Sequence, residues 1–338
     1  MTWTDEIIHL SSVEIEDHTF RITTEENIET LSCSIRNAGL INHPIVIRKK
    51  SGYAVISGFR RIRSAINLGW TSISARTIEP DADRFECAKL AIADNSIQRS
   101  LNLIEISRCY KMLSGLCKEK DLPAAASLLC LPDNPALAGK IIRLCDIPEQ
   151  LQQYILSGSV SMAMALELVK PEYIGSGIQF AEIFDCLKLS LNKQREFLTL
   201  SFEIATREGI SVLELINGFD FQNILSDEES DRNRKTNKIR QYLKSRRFPV
   251  IMKAEDNFRK NLRKLALTGG IKLIPPADFE GNTFIISMEF KTTSEFGELT
   301  ACLNRLTNDP VLKEIVSKNT SDCNHPLSGI PENRKPKN

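Results

Sequence analysis

Three arginines crowd the start of one helical stretch, directly after a glycine that ends a short apolar run: Gly52-Tyr53-Ala54-Val55-Ile56-Ser57-Gly58-Phe59-Arg60-Arg61-Ile62-Arg63-Ser64-Ala65. A helix start leaves backbone N–H groups unpaired and carries a partial positive charge, so it favours anions. Cations are mildly unfavourable there, and three together need a compensating ligand. Forked guanidinium donors suit phosphate oxygens. The chemistry expected of Gly58, Arg60, Arg61 and Arg63 is the holding of a polyphosphate, with a solvated helix face as the bland alternative.

Several elements must position that turn. Tyr53 to Ile56 reads as a strand, Gly58 supplies a turn free of a Cβ, and Phe59 to Leu68 reads as a helix stopped by Gly69. Upstream, Glu25 to Ala38 is a helix with Ile28, Leu31 and Ile35 on one face and Gly39 as its stop. Pro44 to Arg48 is a strand, joined to the next by Lys49-Lys50-Ser51-Gly52. A further strand, Ser72 to Ile78, and a helix, Asp81 to Asp94, complete a mixed α/β domain.

Three blocks in order resemble the N-terminal domain of ParB-type chromosome and plasmid partition proteins, which is related to sulfiredoxin. They are Gly39-Leu40-Ile41-Asn42-His43-Pro44-Ile45-Val46, then Gly58-Phe59-Arg60-Arg61-Ile62-Arg63, then Asp94-Asn95-Ser96-Ile97-Gln98-Arg99-Ser100-Leu101-Asn102-Leu103-Ile104-Glu105. The family has a Gly…Gln-Pro-Ile loop, a Gly-Glu-Arg-Arg box, and Glu-Asn-x-x-Arg followed by Leu-Asn-Pro-Ile-Glu. The resemblance implies a nucleoside triphosphate, typically CTP, with Mg²⁺. Gly39, Pro44, Gly58, Arg60, Arg61, Arg63, Asn95 and Arg99 would form the nucleotide site, with Asn95 at the metal. The departures are Phe59 in place of the box Glu, an extra residue between Gly39 and Pro44, and Arg99 one position late, with Gln98 at the usual Arg position. One residue is about 100° of helix rotation, enough to swing a guanidinium off its ligand. Binding is therefore expected more firmly than turnover: at most slow CTP hydrolysis, with no residue assignable as its base.

From Leu103 to about Val169 the chain reads as helical. Leu122 to Cys130, the turn Leu131-Pro132-Asp133-Asn134, and Pro135 to Leu144 resemble the helix-turn-helix that follows the nucleotide domain in ParB proteins. The candidate reader helix offers Asn134, Lys140 and Arg143, but also Ala136, Leu137, Ala138 and Gly139, a poor set for reading base edges. A helix pair packed for stability or partner contact is the alternative. Between Arg232 and Lys264 stand thirteen basic residues against Glu255 and Asp256 alone, Arg240, Arg246 and Arg247 among them. That is the electrostatic footprint of a nucleic-acid contact or of a solvated connector, since Ser226 to Asp231 reads as a linker.

The expected fold is an α+β multidomain chain. Residues 1–100 form a ParB/sulfiredoxin-like α/β domain and 101–225 an all-helical middle with the helix-turn-helix. A basic linker spans 226–247, a small ferredoxin-like α+β domain of order β-α-β-β-α spans 248–318, and a disordered tail spans 319–338. Phe248 to Met252 is the first strand of the C-terminal domain, which is expected to dimerise.

At 338 residues, 42% apolar and 26% charged, the composition is that of a soluble multidomain protein. No apolar run approaches the ~20 residues of a membrane span. The acidic N-terminus is unlike a signal peptide. Nine scattered cysteines without a Cys-x-x-Cys pair, and the lone Cys323-Asn324-His325, do not make a zinc site; a reducing cytoplasm is expected. The combined reading is a cytoplasmic, nucleoid-associated, dimeric ParB-like protein that binds double-stranded DNA in response to CTP, in partition or transcriptional regulation, with a partition ATPase as an allowed partner and no membrane. Its rivals are a sulfiredoxin-fold kinase or nuclease using Glu86 or Glu105, and an interaction protein that has lost nucleotide binding.

Overall fold

The computed structural model describes residues 2–321, apart from 133 and 174, with side chains as far as residue 317. The chain divides into two compact units, residues 1–194 and 195–338.

The first unit is built on a five-stranded mixed sheet of strands β1 (Thr4–His9), β2 (Val13–Glu14), β3 (Ile45–Lys49), β4 (Gly52–Ser57) and β5 (Ser72–Ile78), in the order β1-β5-β3-β4-β2. The β3–β4 hairpin and the β1–β5 pair are antiparallel, whereas β3–β5 and β2–β4 are parallel. β1 and β2 escape the sequence reading because one is largely polar and the other is two residues long. Around the sheet lie α1 (Glu29–Ala38), α2 (Phe59–Asn67) and α3 (Arg84–Gln98).

Strand alternation divides the core between the two faces. Val46, Val55, Ile73 and Ala75 pack with Phe59, Ile62 and Ala65 of α2. Ile45, Ile56 and Ile78 pack with Cys87, Ala88, Ala91 and Ile92 of α3. The second cluster runs on without a break into Cys109, Tyr110 and Leu113 of α4 (Leu103–Ser114), Ala126 of α5 (Leu122–Leu128), and Ala138 and Ile141 of α6 (Pro135–Ile142). The boundary expected at residue 100 thus falls inside one continuous core. Helices α7 (Glu149–Leu156), α8 (Met162–Leu168) and α9 (Gly177–Leu187) follow.

The division into units falls within α10 (Leu191–Glu208). Beyond it come α11 (Val212–Ile216), α12 (Phe219–Ser226), α13 (Arg232–Arg247) and α14 (Pro249–Leu265). Next are a two-stranded antiparallel sheet of β6 (Ile271–Ile274) and β7 (Ile285–Met288), then α15 (Thr293–Leu306) and α16 (Pro310–Ser321).

Two expectations are corrected here. The basic segment is not a connector: Asp231 caps α13 by accepting from Arg234 N at 2.8 Å, and Thr236, Ile239 and Leu243 are buried. Phe248 to Met252 is not a strand either. Phe248 closes α13, and Pro249 stands at the first position of α14, where its missing N–H costs nothing. Ile251 then shares a helix face with Phe258, Leu262 and Leu265, so the order is α-β-β-α-α rather than ferredoxin-like. Residues 319–321 continue α16. The rest of the expected tail, with Cys323 and His325, lies outside the described residues.

Candidate functional site

Gly58 is the N-cap of α2 with φ +95°, in the left-handed region. A Cβ there would meet Pro44 Cβ at 2.7 Å and Pro44 Cα at 2.9 Å, so two predicted site residues lie against each other and only glycine fits. Gly39, with φ +74° and open space around it, terminates α1. No side chain caps α2, and its first turn holds no acid. Phe59, in the place of the family's Glu, is buried in the core. It anchors the helix start and does not face a ligand.

The three arginines fan out to different partners. Arg60 Nη2 donates to Asn27 O at 2.6 Å, and Arg63 Nη1 lies 4.0 Å from Glu26 Oε1. Arg61 lies 3.7 Å from Asp94 Oδ2 on α3. Asp94 in turn accepts from Ser57 Oγ and, at 3.1 Å, from Gln98 Nε2. The end of β4, the start of α2 and the end of α3 therefore meet at one carboxylate. Asn95 Nδ2 donates to Ala91 O of its own helix at 2.8 Å. Among the described residues no group of three His, Cys, Asp or Glu could hold a metal. Asp94 and Asn95 do supply oxygen donors of the kind Mg²⁺ takes alongside phosphate oxygens and water.

Arg99 stands apart from this cluster. It follows α3 in extended conformation and forks onto Glu105, Nη1 to Oε2 at 2.6 Å and Nη2 to Oε1 at 2.5 Å. Glu105 is fully buried and also accepts from Thr24 N and Asn102 N, both at 3.0 Å, closing the capping box of α4. Burial pushes the Glu105 carboxyl up, but Arg99 and the two backbone N–H groups outweigh it and hold it below the usual range. Gln98, at the usual Arg position, is the residue that reaches Asp94. Neither rival carboxylate joins the arginine box: Glu105 is spent on Arg99 and the cap, and Glu86 pairs with Lys89 at 2.8 Å.

A cavity of about 650 Å³ lies beside the loop before α1, lined by Arg21, Glu26, Arg108, Lys111, Cys145 and Gln152 among others. Glu26 links it to the box, since it pairs with Arg21 at 2.7 Å as well as approaching Arg63. Arg108 Nη1 donates to Thr23 O at 2.7 Å, and burial pushes its pKa down, helped by the charge of Arg21. Arg21, Arg108 and Lys111 carry no local motif, so sequence reading passed over them.

The expected DNA residues divide in two. Asn134 caps α6, its Oδ1 accepting from Ala136 N at 3.0 Å and Leu137 N at 3.3 Å, while Lys140 and Arg143 are exposed. On α13, Arg240 forks onto Glu196 at 2.8 and 3.1 Å, Arg246 pairs with Glu208 at 2.6 Å, and Arg247 pairs with Glu203 at 2.7 Å. All three acids belong to α10. Arg207 of the same helix donates to Arg247 O at 2.7 Å, capping the end of α13. No described helix is long and apolar enough to cross a membrane.

Comparison with known proteins agrees with the fold. The ParB N-terminal domain family model matches residues 4–95. A nucleoid occlusion protein of Oceanobacillus iheyensis is 32% identical over 200 residues, covering 57% of this chain and 67% of that protein. Its counterpart in Bacillus pumilus is 32% identical over 182 residues, covering 52% and 59%. The chain thus spans only part of these relatives. The C-terminally truncated chromosome-partitioning protein ParB from Caulobacter crescentus, solved with CTP-gamma-S, is 20% identical over 54% of this chain and 98% of that one, at a TM-score of 0.25. A likeness that low carries no weight here. On the family match and the relatives' identity, this chain belongs to the ParB family.

Proposed function

We propose that this protein is a DNA-binding member of its family whose first unit responds to a nucleoside triphosphate. The observation that carries the reading is the uncapped start of α2, with Arg61 held only loosely by Asp94. An isolated N-terminus would be a generic anion site. Here Arg61, a glycine that admits no side chain and the Asp94 carboxylate meet, with Asn95 next to Asp94 in sequence on α3. Arg60 and Arg61 take phosphate oxygens, and CTP is the nucleotide that the sequence resemblance favours. A bound Mg²⁺ would neutralise charge between Asp94 and the phosphates, with Asp94 and Asn95 as its protein donors. Without such neutralisation the Asp94 carboxylate repels the incoming anion and competes with it for Arg61. Nucleotide can favour one arrangement of two protomers only by binding it more tightly than the other.

DNA binding is proposed for the α5–α6 pair as a helix-turn-helix, with Lys140 and Arg143 on its exposed side. The relatives' name, nucleoid occlusion protein, supports a duplex partner. A homodimer, a cytoplasmic nucleoid location and a partition ATPase as partner belong to the same proposal. Hydrolysis is at most slow, since the carboxylates next to the box among the described residues, Asp94 and Glu26, each lie against arginines.

A second reading has one observation in its favour. With Arg99 locked onto Glu105, the third block has no guanidinium left to close over a triphosphate, as expected of an interaction protein that no longer uses nucleotide. Calorimetric titration of CTP, ATP and GTP with Mg²⁺ separates the two. The expected result is binding of one triphosphate, weakened about tenfold or more in Arg61→Ala through loss of a charge-assisted contact. No heat with any triphosphate would establish the second reading instead.

A further inference from the structure

The Arg61–Asp94 pair is loose for its surroundings. Where an arginine and a carboxylate are shielded elsewhere in the molecule, they close: Arg240 on Glu196 at 2.8 Å, Arg246 on Glu208 at 2.6 Å, Arg99 on Glu105 at 2.5 Å. The pairs Arg76–Asp5, Arg234–Asp231 and Arg259–Asp256 stay at 3.7–3.9 Å, but on well-exposed side chains. Arg61 and Asp94 are only 14% and 29% exposed, yet they stand 3.7 Å apart. Opposite charges attract more strongly as water is excluded, so a separate interaction must keep these two from closing.

Two neutral donors supply it. Ser57, buried at the end of β4, donates its Oγ to Asp94 Oδ2, the oxygen nearest Arg61. Gln98, one turn further along α3, donates its Nε2 to Asp94 Oδ1 at 3.1 Å. Each carboxylate oxygen thus has a neutral donor of its own, which ties Asp94 between β4 and its own helix. Arg61 itself makes no hydrogen bond among the described residues. Its forked donors are left over at a helix start that has no cap.

We propose that Ser57 and Gln98 are positioning residues, which hold the Asp94 carboxylate off Arg61 and so keep the guanidinium open to a polyphosphate. Neither has to touch the ligand. The inference rests on the nucleotide reading for its ligand, and adds why the empty site is not closed by its own acid. With both donors removed, Asp94 turns to the one strong donor still near it and forms a charge-assisted bond to Arg61. An incoming triphosphate must then break that bond before Arg61 can serve it.

The test titrates CTP and inorganic tripolyphosphate into the full chain by calorimetry, with and without Mg²⁺. In Ser57→Ala/Gln98→Ala the metal-free affinity is expected to fall about tenfold, the worth of one charge-assisted hydrogen bond. With Mg²⁺, which competes with Arg61 for Asp94, the loss should be clearly smaller. Adding Asp94→Asn to the double variant removes the competing charge and should restore the metal-free affinity. A general structural lesion would lower affinity alike with and without metal and would not be rescued by Asp94→Asn; that outcome overturns the inference. Should the double variant not fold, Gln98→Ala alone decides, since its side chain is exposed, with an expected metal-free loss of about threefold. A second measurement needs no ligand: solvent exchange of the Arg61 guanidinium protons, followed by nitrogen-15 NMR, should be slower in the double variant than in the parent. Equal exchange overturns the inference. Parental affinity in a folded double variant overturns it alone, whereas a parent chain that binds neither polyanion overturns the nucleotide reading as well, so the two failures are distinguishable.

Discussion

The arginines of α2 and those of α13 are alike in sequence and opposite in situation. On α13, each of Arg240, Arg246 and Arg247 meets a glutamate of α10 at 2.6–2.8 Å. On α2, among the described residues, Arg61 has one carboxylate at 3.7 Å, Arg63 one at 4.0 Å, and Arg60 only a backbone carbonyl. The first set is discharged internally and holds two helices together. The second is held loosely at a helix start that lacks a cap, with binding capacity to spare. A count of positive residues measures neither. What matters is the acid that the fold sets opposite each one.

The severest way to break this contrast is Gly58→Ala. A Cβ driven into Pro44, on a backbone at φ +95°, is expected to cost about 3 kcal/mol, read from the urea midpoint at unchanged m-value. Unaltered stability would mean that the turn does not set the fan of arginines.

Removal of α13's charges comes next. Arg240→Gln/Arg246→Gln/Arg247→Gln should lower stability by about 1–2 kcal/mol, a modest sum for partly exposed pairs, and leave the salt slope of duplex retention where it was. A slope that fell with it would place these arginines on DNA and erase the difference from α2.

The same pairs give a pH signature. Burial pushes Glu196 up, but Arg240 and Lys244 outweigh it and leave it below the usual range, while the hydrogen bond from Arg246 holds Glu208 down. A carboxyl whose pKa is lower folded than unfolded contributes fully above its unfolded value, near ~4.3, and loses that contribution as pH falls through the folded value. Stability should therefore drop in acid, less steeply in the triple arginine variant than in the parent. Equal acid sensitivity in the two would show that these pairs are not coupled to folding.

The smallest effect sharpens the view of α6. Asn134→Ala should cost about 1 kcal/mol as a lost cap. Duplex affinity should stay unchanged, because the side chain already serves Ala136 and Leu137. A change in sequence preference would make Asn134 a base reader after all.

Much of the site was legible because its signals are local. The glycine turn, the arginine box, the β3–β4 hairpin and the glycine stop of α1 all follow from neighbours in the chain. Pro249 was a helix-start signal overshadowed by the β-branched pair Val250-Ile251, which favours strand when read alone. The departure at Arg99 was visible as a one-residue shift. Its destination was signalled by the spacing of Asn102 and Glu105, a capping pattern that ties Glu105 down beside it.

Sequence alone determined that guanidinium groups gather at a glycine-led helix start, since φ/ψ freedom and helix polarity are properties of a few consecutive residues. It also determined that a second basic concentration exists near residue 240. Only the tertiary structure decided which cations are neutralised. Coulombic pairing depends on distance, and the acids facing α13 come from α10, 44 residues away for Arg240 and Arg247. The same packing left Arg61 with a single distant carboxylate and the lysines of α14 facing solvent.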